Sequence, residues 1–139
     1  MAQGSNGMPE GVRAFLAERR FASLATVNPD GTPQQTVMWY LLDGDEILMN
    51  TAVGRIKHRN LKDNPEISIC VEDGYRYVAV SGVAGLDEDQ ERAHADVLRL
   101  AVHYHGQEDG QEQYERTFRG AERVSIRMTV DRVVHNGFE

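Results

Sequence analysis

Five stretches of the chain alternate apolar and polar residues with a period of two, separated by short turn-forming clusters, and this pattern confines the fold to antiparallel sheet. The stretches are 21–27, 33–42, 46–51, 66–73 and 75–84, rich in β-branched and aromatic residues. Asn28-Pro29-Asp30-Gly31 links the first pair, Asp43-Gly44-Asp45 the second and third, and Asp73-Gly74 the fourth and fifth. Each linker has hairpin chemistry, so each is expected to join antiparallel neighbours. A sixth strand, 123–134, sets Val124, Ile126, Met128 and Val130 on one side and Ser125, Arg127, Thr129 and Asp131 on the other. No strand–helix–strand alternation of a parallel sheet appears. The expected fold is mainly β, a six-stranded antiparallel barrel with α insertions.

Between the strands the period changes to that of a helix. Val12, Phe15, Leu16 and Arg19 share one face and predict a helix over 9–20, a lid on the barrel. Residues 54–64 have room for about two turns and end at Asn64-Pro65. After Leu86, Asp87 is the expected N-cap with Gln90 three residues on, Ala93, Val97, Ala101 and Tyr104 form one face, and Gly106 ends the helix. A further helix is expected over 111–119, which makes 87–119 a helical insertion. Residues 1–7, MAQGSNG, read as a disordered tail. With 139 residues, 40% of them hydrophobic and 27% charged, the chain 1–139 fits one domain.

Composition and motifs exclude several functions. A formal charge of −7 argues against nucleic acid and anionic membranes as general partners. No apolar run is long enough for a transmembrane helix or a signal-peptide core, and a cytoplasmic location is expected. Cys70 is the one cysteine, which leaves no intramolecular disulfide; it is expected to be a buried, inert thiol. There is no GxSxG, HExxH, P-loop or dinucleotide fingerprint. His103 and His105 would point about 200° apart on a helix, so no metal site is expected. Asp87, Glu88, Asp89 and Glu91 suit a helix N-terminus, whose dipole favours carboxylates.

The informative anomaly is Asn50-Thr-Ala-Val-Gly-Arg-Ile-Lys-His-Arg-Asn-Leu-Lys62. In an acidic chain it concentrates Arg55, Lys57, Arg59 and Lys62 where a strand gives way to a helix. Unpaired backbone N–H groups at a helix start, beside cations, suit a phosphate. Asn50 and Thr51 can add hydrogen bonds, and Gly54 permits close backbone approach. A solvated basic surface also accounts for the charge. On the neighbouring strand, Gln34-Gln-Thr-Val-Met-Trp-Tyr40 offers amides and flat groups that suit a planar heteroaromatic ring covered by Trp39 or Met38, although Trp39 equally fits a core or interface position.

These phrases, FASLATVNPDGTPQQTVMWYLLDGDEILMNT, GRIKHRNLKDNPEISICV and VAVSGVAGL, resemble the split β-barrel flavin and deazaflavin oxidoreductases related to pyridoxamine 5′-phosphate oxidase. The resemblance covers about residues 21–86 and the last strand, and it is nearest to the actinobacterial-type branch that uses the deazaflavin coenzyme F420. It implies a homodimer with cofactors in the grooves between subunits. Carried over by position, it implies Asn50, Thr51, Arg55, Ile56, Lys57 and Asn60 at the cofactor phosphate and ribityl-like chain. Gln35, Thr36, Val37 and Met38 would border the ring, with Tyr77 and Val78 approaching from the partner. Apolar strand faces at 37–41 and 78–80 would form the dimer contact. Thr36 replaces a basic residue of the pyridoxamine phosphate oxidases, and the C-terminal Arg132-Val-Val-His-Asn-Gly-Phe-Glu lacks their arginine-and-histidine substrate motif, which turns the reading away from vitamin B6 oxidation.

The activity so implied is an F420-dependent reductase carrying a hydride between the deazaflavin and a small unsaturated organic acceptor. The alternatives are an FMN-binding oxidoreductase and a non-enzymatic carrier of a flavin, deazaflavin or tetrapyrrole. Such chemistry needs orientation and desolvation more than a protein acid, and the sequence names no catalytic residue. Residues 87–119, the largest insertion, are the expected source of acceptor specificity, with His94, Tyr104 and Tyr114 serving there or in packing.

Overall fold

The computed structural model describes residues 8–138; the expected tail, 1–7, lies outside them. One antiparallel sheet holds seven strands: β1 (Ala22–Val27), β2 (Pro33–Met38), β3 (Leu41–Asp43), β4 (Glu46–Ala52), β5 (Glu66–Glu72), β6 (Tyr77–Asp87) and β7 (Arg123–Asn136). Their order is β2-β1-β5-β6-β7-β4-β3. β2 and β3 stand at opposite ends of that order, yet only Trp39 and Tyr40 separate them in sequence. Two residues span little more than 10 Å, so the sheet curls until its edges meet and remains unpaired along that seam. This is a split barrel. The single strand expected over 33–42 is two strands, because the chain steps there from one edge of the sheet to the other.

Tyr40 fills the step. It is 1% exposed, and its hydroxyl donates to the Leu16 carbonyl at 2.9 Å. The three predicted turns do join antiparallel neighbours, with Gly31, Gly44 and Gly74 at positive φ. Inside the barrel the alternating residues pack as expected: Leu24 from β1, Ile67, Ile69 and Val71 from β5, Ile126 and Met128 from β7. Cys70 points to the other face, where it is half-buried rather than buried, and burial together with Glu72 pushes its thiol up.

β6 and β7 run longer than expected and carry a bulge. Gly82 pairs with Val130 and Ser81 with Arg132, so Asp131 is the extra residue. A β-carbon on Gly82 would lie 1.7 Å from the Thr129 carbonyl oxygen, and only glycine fits. The bulge also resets the alternation, and Val133 rather than an even-numbered residue turns inward beyond it.

Helices cover what the barrel leaves open. α1 (Glu10–Ala17) is shorter than expected and buries Val12, Phe15 and Leu16 against the barrel end. α2 (Ile56–Asp63) follows β4 directly. α3 (Gln90–His105) lies on the outer face of β4 and β7, burying Ala93, Val97, Leu100 and Ala101. Leu48 is therefore as buried as the inward Ile47 and Met49, and Asn50 is only 8% exposed. The N-cap of α3 is Asp89, not Asp87: its side chain accepts from the Arg92 N–H, while Asp87 ends β6 and pairs with the Arg92 guanidinium at 2.7 Å. The helix expected over 111–119 is α4 (Gln107–Gln113) running into a π-helical turn, Tyr114–Phe118. No helix among the described residues is long and apolar enough to cross a membrane.

Candidate functional site: a cation cluster and an aromatic cleft

Where β4 ends, Gly54 adopts a φ of +93° and turns the chain into α2, with Arg55 as N-cap. No side chain caps the helix, so its first N–H groups lack side-chain acceptors. Lys57, in the first turn, is only 9% exposed, and Arg123, at the start of β7, 8%. Neither forms an ion pair among the described residues, nor does Arg55. Burial, then Arg55, then Arg123 hold the Lys57 ammonium below its ordinary pKa. Burial and Arg55 do the same to Arg123. A chain of charge −7 thus gathers the buried Lys57 and Arg123 and the exposed Arg55 with no carboxylate partner among the described residues. Such an arrangement favours the approach of an anion.

Neighbouring side chains hold the cluster open. The buried His58 accepts from the Gly54 N–H at Nδ1, 2.9 Å, and faces Glu88 through Nε2 at 3.0 Å, tying the turn to the start of α3. Asn50 donates to the Ala93 carbonyl and accepts from Arg123 Nε, both at 2.9 Å. Gln90 grips the Arg123 backbone on both sides, accepting from its N–H and donating to its carbonyl at 2.9 Å each. Asn60 donates to Thr26 and Asn28, fastening α2 to β1.

The expected site residues divide accordingly. Arg55, Ile56 and Lys57 meet at the α2 start, with Ile56 47% exposed beside them. Asn50, Thr51 and Asn60 are buried, and the amides of Asn50 and Asn60 are already engaged within the protein. On β2, Gln35 and Val37 face outward, and Thr36 and Met38 are half-buried. Thr36 Oγ1 is buried without a hydrogen-bond partner, but it lies on the inward face of β2 with Leu24, opposite the outward Gln35 and Val37. Tyr77 is exposed on β6. Val78 is not: it is fully buried in its own core, as is Val80, so neither side chain can reach a partner subunit. The outward residues of that strand are Tyr77, Ala79, Ser81 and Val83, one position out of phase with the expectation.

A cleft of about 230 Å³ adjoins the cluster. Trp39, Val97, Leu100 and Phe118 form its apolar walls, Val37 and Met38 its rim, and Asn50 and Arg123 its polar floor. Trp39 stacks on Tyr104 with ring centroids 5.0 Å apart and meets Phe118 edge-on at 5.7 Å. Tyr104 is fixed in turn by accepting the Tyr40 N–H at 3.0 Å and by a short hydrogen bond to the Arg20 carbonyl. His94 bonds the Tyr114 hydroxyl at 2.9 Å, so His94, Tyr104 and Tyr114 all act as internal pins. Sequence reasoning missed Arg123 and Phe118 at this site, because they reach it only through β4–β7 pairing and the packing of the π-turn.

The chain is a split barrel with an uncapped, cationic helix start beside an aromatic cleft. The model of the pyridoxamine 5′-phosphate oxidase family matches residues 8–136, and the chain belongs to that family. Among solved structures it is similar to the conserved hypothetical protein Rv2991 from Mycobacterium tuberculosis, at 29% identity over 92% of this chain and 84% of the other, with a TM-score of 0.78. It is 32% identical to a protein described as an F420 reductase, over 91% of this chain and 98% of that one, with a TM-score of 0.74. A putative pyridoxamine 5′-phosphate oxidase from Listeria innocua, at 18% identity over 91% and 95% of the two chains and a TM-score of 0.66, shares the fold.

Proposed function

We propose that this protein is an oxidoreductase that binds coenzyme F420 and passes a hydride between it and a small unsaturated organic acceptor. The observation carrying this reading is the cluster of Arg55, Lys57 and Arg123 with no carboxylate partner among the described residues, at the uncapped start of α2. Arg55, Lys57 and the first N–H groups of α2 would hold the cofactor phosphate. The outward side of β2 at Gln35 and Val37 would border the ring, with Thr36 between them contributing only its backbone. When bound, the deazaflavin supplies a two-electron hydride transfer. The protein's own part is to neutralise the phosphate, present backbone along the ring edge and keep water from the acceptor. The 32% identity to the F420 reductase supports the choice of cofactor over FMN.

Fluorescence titration with oxidised F420 and, separately, with FMN tests the proposal. Tight F420 binding with weak FMN binding supports it, and the reverse preference makes the protein an FMN enzyme. Binding of F420 without turnover by any of a panel of quinones, unsaturated lactones, nitro compounds and tetrapyrroles makes it a carrier.

We propose that a second copy of the chain completes the site. The centre of the outer face of β2-β1-β5-β6 presents the small, uncharged Ser23, Ala25, Ser68, Cys70 and Ala79, with Val37 69% exposed at one side, Val83 42% at the other, and Gln35, Glu66 and Glu72 at its margins. A patch of such small side chains permits a close sheet-to-sheet contact between subunits.

A further inference from the structure

Arg123 has more donors than the protein uses. Its Nε is committed to Asn50, its backbone is clamped by Gln90, and its guanidinium lies 5.0 Å from the Phe118 ring. The two terminal nitrogens have no acceptor among the described residues, although the side chain is buried and lines the cleft. An immobilised planar fork of donors between aromatic walls matches a carboxylate in geometry and charge, and a ligand bearing one would replace the missing counterion. The cleft is small, below the roughly 300–1,000 Å³ of sites for larger ligands, and so suits one or two rings rather than a tricyclic cofactor. Trp39 and Phe118 offer a face and an edge to a flat, conjugated body.

We infer that the cleft between β2, α3 and the π-helical turn binds the acceptor, and that this acceptor is a flat, conjugated carboxylate anchored by Arg123. This rests on the oxidoreductase reading, from which it takes the acceptor role, but the carboxylate site itself can be tested without cofactor. Arg123 then serves the acceptor, while Arg55 and Lys57 serve the cofactor phosphate. The division explains why Arg123 is positioned by α3 and β4 instead of by α2.

The chain has one tryptophan, Trp39, in the cleft wall, so its emission reports occupancy. Cinnamate is the probe, with neutral cinnamamide of the same shape as control. Cinnamate should quench Trp39 saturably and bind at least about tenfold more tightly than cinnamamide, the size of one charge-assisted hydrogen-bonded contact. Arg123→Gln, which keeps a donor for Asn50, should remove the difference; Arg123→Lys, which keeps the charge without the fork, should retain part of it. Val97→Phe, filling the cleft with the cation intact, should abolish binding of both probes. Equal affinities for the two probes in the wild type overturn the inference. So does a loss of cinnamate binding in Lys57→Ala as large as in Arg123→Gln, which would seat the carboxylate in the phosphate cluster. F420 titrated separately keeps the two readings apart. Cinnamate discrimination without F420 binding upholds the carboxylate site and removes the redox role; F420 binding without discrimination removes this inference alone.

Discussion

A buried Lys57 ammonium between two guanidinium groups is a standing cost to the empty protein, relieved when an anion arrives. Lys57→Ala should weaken F420 binding by about one to two decades, from the loss of a contact worth roughly 1.5–3 kcal/mol. Lys57→Met, which keeps the side-chain bulk and removes the charge, should do the same while stabilising the empty protein by about 1 kcal/mol, read from denaturation midpoints. An unchanged or lowered midpoint would show that the charge is well solvated. The pH dependence follows from the depressed pKa of Lys57. Between that value and the ordinary one of about 10.4, the unfolded chain binds more protons than the folded one, so the lysine's contribution to stability improves as pH rises through the window. The stability advantage of Lys57→Met over the wild type should therefore shrink at alkaline pH. Over the same range cofactor affinity should fall, because the neutral amine no longer meets the phosphate.

Among the elements, the β6–β7 pair depends on a single backbone accommodation. Gly82→Ala should cost more than about 2 kcal/mol, since the new methyl meets backbone that cannot move aside without breaking the bulge; a midpoint close to wild type would mean that the bulge can migrate. The bulge also marks where the sequence stops being readable. Strand alternation and hairpin turns are local signals, and they disclosed the antiparallel sheet, its three hairpins and the basic start of α2. Asp131 looks like another outward residue of an alternating strand, and only pairing with Gly82 reveals it as the extra one. Gln90 likewise has the spacing of a capping-box residue from Asp87, yet its amide spans the Arg123 backbone. Val78 reads from the sequence as an outward residue, yet the burial of Val71, its partner on β5, places it inside. Each of these depends on contacts between segments distant in sequence.

For the whole molecule, the proposed second subunit makes the site concentration-dependent. Light scattering at micromolar concentration should give twice the mass of one chain; a monomer would leave the outer sheet face and the ring position exposed on one side. Cofactor affinity should also fall as salt is raised, because the proposed phosphate contact includes the exposed Arg55. Salt-independent binding would point to a ligand held by the ring alone.

β7 lies between β6 and β4, the one strand that ties β2-β1-β5-β6 to the β4-β3 hairpin. It follows every other strand in the chain. During synthesis on a ribosome, then, the two halves of the sheet can form but cannot be joined until β7 emerges. From the completion of β6 at Asp87 until β7 begins at Arg123, the nascent protein carries two strand edges, those of β6 and β4, that await a partner, and closure is a late event that brings the Arg123 strand and the cleft floor into place together.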